Sequence, residues 1–143
     1  MLQSTLTQIG AAAVVAVCLY AFVAGSWRER FGALVYLAAY LVSFGFGLIA
    51  PEHSTLYLLL SDVLCLQTFL FMCWRTTHSW PKWALIGQFI CVGVEILTLT
   101  HVGGLYSRSF LTIETAAGWG VLLALLIGTI AAAQARRDAR RMA

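Results

Sequence analysis

The chain has 143 residues, of which 61% are hydrophobic and only 10% charged, with a formal net charge of +3. Soluble globular domains carry charge on about a quarter of their residues, so this composition excludes a water-soluble fold and makes lipid the expected solvent. The length admits one domain, because five membrane spans of roughly twenty residues take up about a hundred residues.

In chain order, apolar stretches cover 6–25, 31–50, 56–74, 83–99 and 110–133. Each reaches the roughly 17 to 25 residues that cross about 30 Å of hydrocarbon at 1.5 Å per residue. None alternates apolar with polar residues, and all are about twice the length of a barrel strand. The expected fold is therefore all-α, an integral membrane bundle of five transmembrane helices. Short connections separate the stretches at 26–30, 51–55, 75–82 and 100–109. Pro51 opposes helical continuation through Ala50, and Gly103 with Gly104 breaks the fourth connection.

Orientation follows from the basic residues, which stay on the cytoplasmic side when they lie in short loops. Arg28 and Arg30 fall in the first connection, Arg75 and Lys82 in the third, and Arg136, Arg137, Arg140 and Arg141 in the tail at 134–143; only Arg108 falls on the other side. This pattern predicts an N-terminus outside and a C-terminus in the cytoplasm. Trp27, Trp74, Trp80 and Trp83 sit near the inner interface, where an indole buries its ring and wets its N–H, and Tyr57 and Tyr106 sit near the outer one. The leader at 1–8 has no lysine or arginine, so the first span reads as retained rather than as a cleaved signal. The bulky Val17 before Cys18 likewise opposes lipoprotein-type cleavage.

All four cysteines, Cys18, Cys65, Cys73 and Cys91, fall inside spans without CxxC spacing. They read as small packing residues rather than as a disulfide framework or a thiolate metal site. Along the last span, Gly120, Ala124, Gly128 and Ala132 recur every fourth residue and predict a smooth strip for close helix approach. Gly32, Ala39, Ser43 and Gly47 form a less regular strip on the second. The arginines at 136, 137, 140 and 141 are suited to anionic headgroups, at about 1 kcal/mol per basic residue near the surface. Nucleic-acid binding is not expected, since no folded reader accompanies them.

The most informative residues are acids inside spans: Asp62, Glu95 and Glu114. Intramembrane acids are costly and turn inward. Counting about 1.5 Å per residue from the outer ends puts Asp62 about 9 Å deep and the two glutamates about 6 Å deep, so all three share one outer slab. Gln88 lies two turns from Glu95 on nearly the same face, with Cys91 between them. The cluster reads as a structural hydrogen-bonding centre, as a proton or cation pathway open to the outside, or as a metal site completed by His53 or His101. No HExxH or comparable spacing supports the last, and no metal is expected. Arg108 is an alternative partner for Glu114.

Several classes are excluded by what the spans lack. No lysine is available for a retinal Schiff base and no mid-span histidine for a haem. A phosphate loop, a GxSxG turn and a nucleophile–base pair are also missing, so neither enzyme activity nor a cofactor is expected. The stretch with Asp62 in one span and Trp80, Pro81 and Trp83 opening the next resembles uncharacterised small polytopic inner-membrane proteins of proteobacterial type, over the middle half of the chain. That resemblance implies a bacterial inner-membrane location and carries no activity with it.

The expected role is a non-catalytic accessory or assembly subunit of a membrane complex, in contact with lipid and with another membrane protein or further copies of itself. The alternatives are a small oligomeric channel or transporter using the acids, and a phage-type holin. Cysteine labelling from either side tests the topology: single cysteines in place of His53 and His101 should react from outside, and those replacing His78 or residues of the arginine tail only from inside. The reverse pattern would also overturn the depth argument.

Overall fold

A computed structural model describes residues 2–49, 54–75, 77–100 and 108–142. They form five α-helices and, among the described residues, no strand: α1 (Leu2–Ala24), α2 (Trp27–Ile49), α3 (Ser54–Arg75), α4 (Trp80–Leu99) and α5 (Arg108–Met142). Among the described residues three stretches are long and apolar enough to cross a membrane, Leu56–Arg75, Trp80–Leu99 and Thr112–Met142; α1 holds a shorter apolar one, Gln8–Ala24. Pro51, His53, His101, Gly103, Gly104 and Tyr106 lie outside the described residues. Each helix packs on its chain neighbour, α1 closes on α5, and α2 also touches α5. The result is a closed helical bundle in which chain neighbours are antiparallel and α1 and α5 parallel, with the end of α1, the start of α2, the end of α3, the start of α4 and the C-terminal part of α5 sharing its basic end.

Three of the helix limits that differ from the apolar stretches do so for a local reason. α2 starts at Trp27 rather than 31 because Glu29 caps it with one half of a capping box: the Ser26 N–H donates to Glu29 Oε2 at 2.9 Å, and the Ser26 hydroxyl donates to the same oxygen. α4 starts at Trp80 rather than 83, with Pro81 in the first turn, where no helical partner is lost for want of an N–H. α5 runs for 35 residues, about 52 Å at 1.5 Å per residue, so the arginine tail is the last turns of the same helix.

The core at the basic end is built on Trp80. It is 5% exposed, and its Nε1–H donates to Glu29 Oε1 at 3.1 Å. Its ring meets Phe69 of α3 edge-on, with centroids 6.4 Å apart and planes at 81°. A Cβ added to Gly128 of α5 would lie 2.5 Å from Trp80 Cγ, and one added to Gly32 of α2 would lie 3.1 Å from Cη2. Trp80 is thus an interior residue and not the wet interfacial ring that its position predicts, whereas Trp27, Trp74 and Trp83 at the same end are exposed.

The predicted strip on α5 is divided by the structure. Ala124 and Gly128 are buried and Ala132 is half-buried, while Gly120 is exposed with open space around an added Cβ. The cause is helical phase: a step of four residues advances about 40°, so three steps turn the strip by about 120° and carry one end off the interface. α4 and α5 also approach closely at Gly87, where a Cβ would come within 2.8 Å of Val121 Cγ2 and 3.1 Å of the Ala117 carbonyl oxygen.

Gly128→Leu should therefore destabilise the bundle by about 1–3 kcal/mol or more, since Trp80 has nowhere to move. Gly120→Leu should fall within about 0.5 kcal/mol of the parent. Denaturant unfolding in detergent micelles distinguishes the two, and equal effects would contradict the packing described here.

Candidate functional site

The acids are brought together by the buried faces of three helices. On α4, Gln88, Cys91 and Glu95 follow one another at helical spacing and are all buried. α3 turns Ser61, Cys65 and Phe69 inward with Asp62 beside them, and α5 brings Glu114 and Gly118 to the same level. Asp62, Gln88 and Glu114 line one interior cavity of about 140 Å3, walled on the α2 side by Tyr36, Tyr40 and Ser43. That is space for several water molecules.

Weak polar links hold the cavity walls in register. Gln88 Nε2–H donates to the Asp62 backbone carbonyl at 3.4 Å, tying α4 to α3. The Cys91 thiol donates to the Glu114 carbonyl at 3.9 Å, tying α4 to α5. The Ser61 hydroxyl donates to Leu58 O at 2.8 Å, and its oxygen lies 2.6 Å from the Ser43 hydroxyl. A hydroxyl has one proton to give, so Ser43 is the donor in the α2–α3 link.

The Asp62 side chain lies within reach of Gln88 and Glu95 and within electrostatic range of Glu114. Glu95 stands just beyond the cavity lining, 3% exposed, and neither of its carboxylate oxygens has a hydrogen-bond partner. A carboxylate in that setting is tenable only with a proton or a cation on it, because an unpaired ionised group in a low-dielectric interior costs several kcal/mol. Among the described residues, no three His, Cys, Asp or Glu side chains stand close enough to hold a metal ion. Both histidines considered for that role, His53 and His101, lie outside the described residues, as does the side chain of Arg108.

The cavity ends toward the basic end in apolar side chains. One turn beyond Cys65 comes Phe69, and beyond Gly118 come Val121 and Leu125, which pack with Ala84 beneath Trp80. Past that layer a second cavity of about 330 Å3 is lined by Glu29, His78, Ser79, Trp80 and Arg136 among others. Arg137, Arg140 and Arg141 are exposed along α5. Cys18, Cys65 and Cys91 are buried free thiols and Cys73 is half-buried.

Three residues escape the sequence reading. Glu29 falls in the first connection, although the S-x-x-E pattern at 26–29 signals a cap. Tyr36 and Tyr40 share one face of α2 with Ser43 of the small-residue strip, at helical spacing that an apolar reading of that helix passes over.

A double-mutant cycle on Ser43→Ala and Ser61→Ala should return a coupling of about 0.6 kcal/mol, and no more than about 1.7 kcal/mol, the range for interhelical hydrogen bonds in bilayers. Zero coupling in folded variants would remove the α2–α3 link. No protein family, curated protein or solved structure matches the chain.

Proposed function

We propose that this chain is a five-span bacterial inner-membrane protein, N-terminus outside and C-terminus cytoplasmic, that takes up protons or a monovalent cation from the outer side into its acid-lined cavity. The observation that carries the reading is the convergence of Asp62 and Glu114 on one cavity with Glu95, buried and unpartnered, beside it. Lipid-facing acids are costly, and three gathered inward from three helices make a site that neutral packing residues would not require. Five crossings are supported by the lengths of α1 and α2, 23 residues each, which suffice for the hydrocarbon core. The clustering of arginines at one end of the bundle supports the orientation.

The buried apolar layer of Phe69, Val121, Leu125 and Trp80 stands between the cavity and the basic end. Passage across the membrane then requires a second conformation or a partner subunit. An accessory role inside a larger complex is the second reading, favoured by Gly120, whose exposed backbone offers a neighbouring helix a close approach.

Reconstituted proteoliposomes with an imposed pH or cation gradient provide the test. Asp62→Asn, Glu95→Gln and Glu114→Gln preserve side-chain shape and hydrogen-bonding capacity, so each should keep the helical content. Glu95→Gln should lower uptake at least about tenfold, as expected when an obligatory charge or proton carrier is lost. If all three variants took up protons and cations at the parent rate, the cluster would be structural and the accessory role would stand.

A further inference from the structure

At the basic end, between α2 and α3, lies a groove of about 500 Å3 that plays no part in the carboxylate cavity. Its walls are Trp27, Arg28 and Phe31 from the start of α2 and Phe71, Met72 and Arg75 from the end of α3. The two helices run antiparallel, so the two arginines face the groove from opposite walls at one level. The Arg75 guanidinium sits over the Phe71 ring, 5.2 Å from its centroid, a cation–π contact that limits where the fork can point. Opposite, Trp27 and Phe31 stack with centroids 6.2 Å apart and planes at 25°. One turn further into the bundle the walls are Phe31 and Phe71, both exposed, with the thioether of Met72 buried behind them.

We infer that this groove is a binding site for one anionic phospholipid, its headgroup phosphate held between Arg28 and Arg75 and an acyl chain laid along Phe31, Phe71 and Met72. Two guanidinium groups match a phosphate in charge and in planar, bidentate geometry. The same walls carry apolar surface into the span, where a soluble anion has nothing to contact and a fatty chain has. An exposed indole at the rim suits the headgroup level of a bilayer. The inference rests on the chain lying in a membrane with this end at an interface. It is independent of whether the acids move ions, so flux measurements and lipid retention fail separately.

The protein is reconstituted into vesicles of equal parts phosphatidylglycerol and phosphatidylcholine, extracted in mild detergent and weighed intact by native mass spectrometry. The parent should retain one phosphatidylglycerol per chain in preference to phosphatidylcholine. R28Q/R75Q should lower that preference about 30-fold, the loss of two near-surface basic contacts. R28K/R75K should retain only part of it, because an ammonium lacks the fork. A tail variant, R136Q/R137Q/R140Q/R141Q, removes general headgroup attraction and should lower the total phosphatidylglycerol adhering to the chain, while the one tightly held molecule stays. Independently, phosphatidylglycerol with brominated chains should quench tryptophan fluorescence more than brominated phosphatidylcholine, and Trp27→Phe should remove most of that excess. An unchanged preference in R28Q/R75Q, or a loss that follows the tail instead of the pair, overturns the site, as does quenching that is indifferent to headgroup or to Trp27.

Discussion

In a bilayer no hydrophobic drive pushes one helix against another, so close packing must come from shape and from polar groups that need a partner. Trp80 supplies both. Its indole leaves α4, crosses the interior and fits against Gly32 of α2, Phe69 of α3 and Gly128 of α5, while its N–H finds the Glu29 carboxylate. Glu29 is itself held by the Ser26 cap at the start of α2. A buried indole N–H and a buried carboxylate would each be costly alone, and here each satisfies the other. One side chain therefore sets the spacing of four helices at the basic end.

The opposite half of the bundle is organised differently. Tyr36 and Tyr40 wall its cavity, and among the described residues the helices are joined there by small contacts: two serine hydroxyls, a glutamine amide on a backbone carbonyl, and a thiol on another. Each contributes less than about 2 kcal/mol in a membrane interior. They join the helices around a polar cavity at the level of Asp62 and Glu114, and the layer beneath it is apolar. Close apolar packing at one end and a polar cavity at the other follow from where the glycines and the tryptophan stand.

Much of this was legible in the residues. Apolar length alone separates the five helices, and the cost of an acid in hydrocarbon turns Asp62, Glu95 and Glu114 toward one another. What escaped reading depends on angles that spacing does not contain. The every-fourth-residue strip on α5 assumes a helix that repeats at four, and at 3.6 residues per turn Gly120 rotates out of the contact that Gly128 makes. Trp80 sits among interfacial tryptophans in sequence, and only the opposing glycines on α2 and α5 reveal that it is the one drawn inside. Glu29 lies between two arginines, where it reads as a loop charge until its capping geometry is seen.

The unbroken course of α5 has one more implication. Because the helix does not end where its apolar stretch does, the four tail arginines are fixed in azimuth as well as in number: 136 and 140 form one column, 137 and 141 the next. At 100° per residue they cover an arc of about 140°, with Asp138 outside it. A disordered tail would spread its charge evenly around the end of the bundle. A helical one points it, so that the charge has a compass bearing around the bundle and not merely a place along its axis.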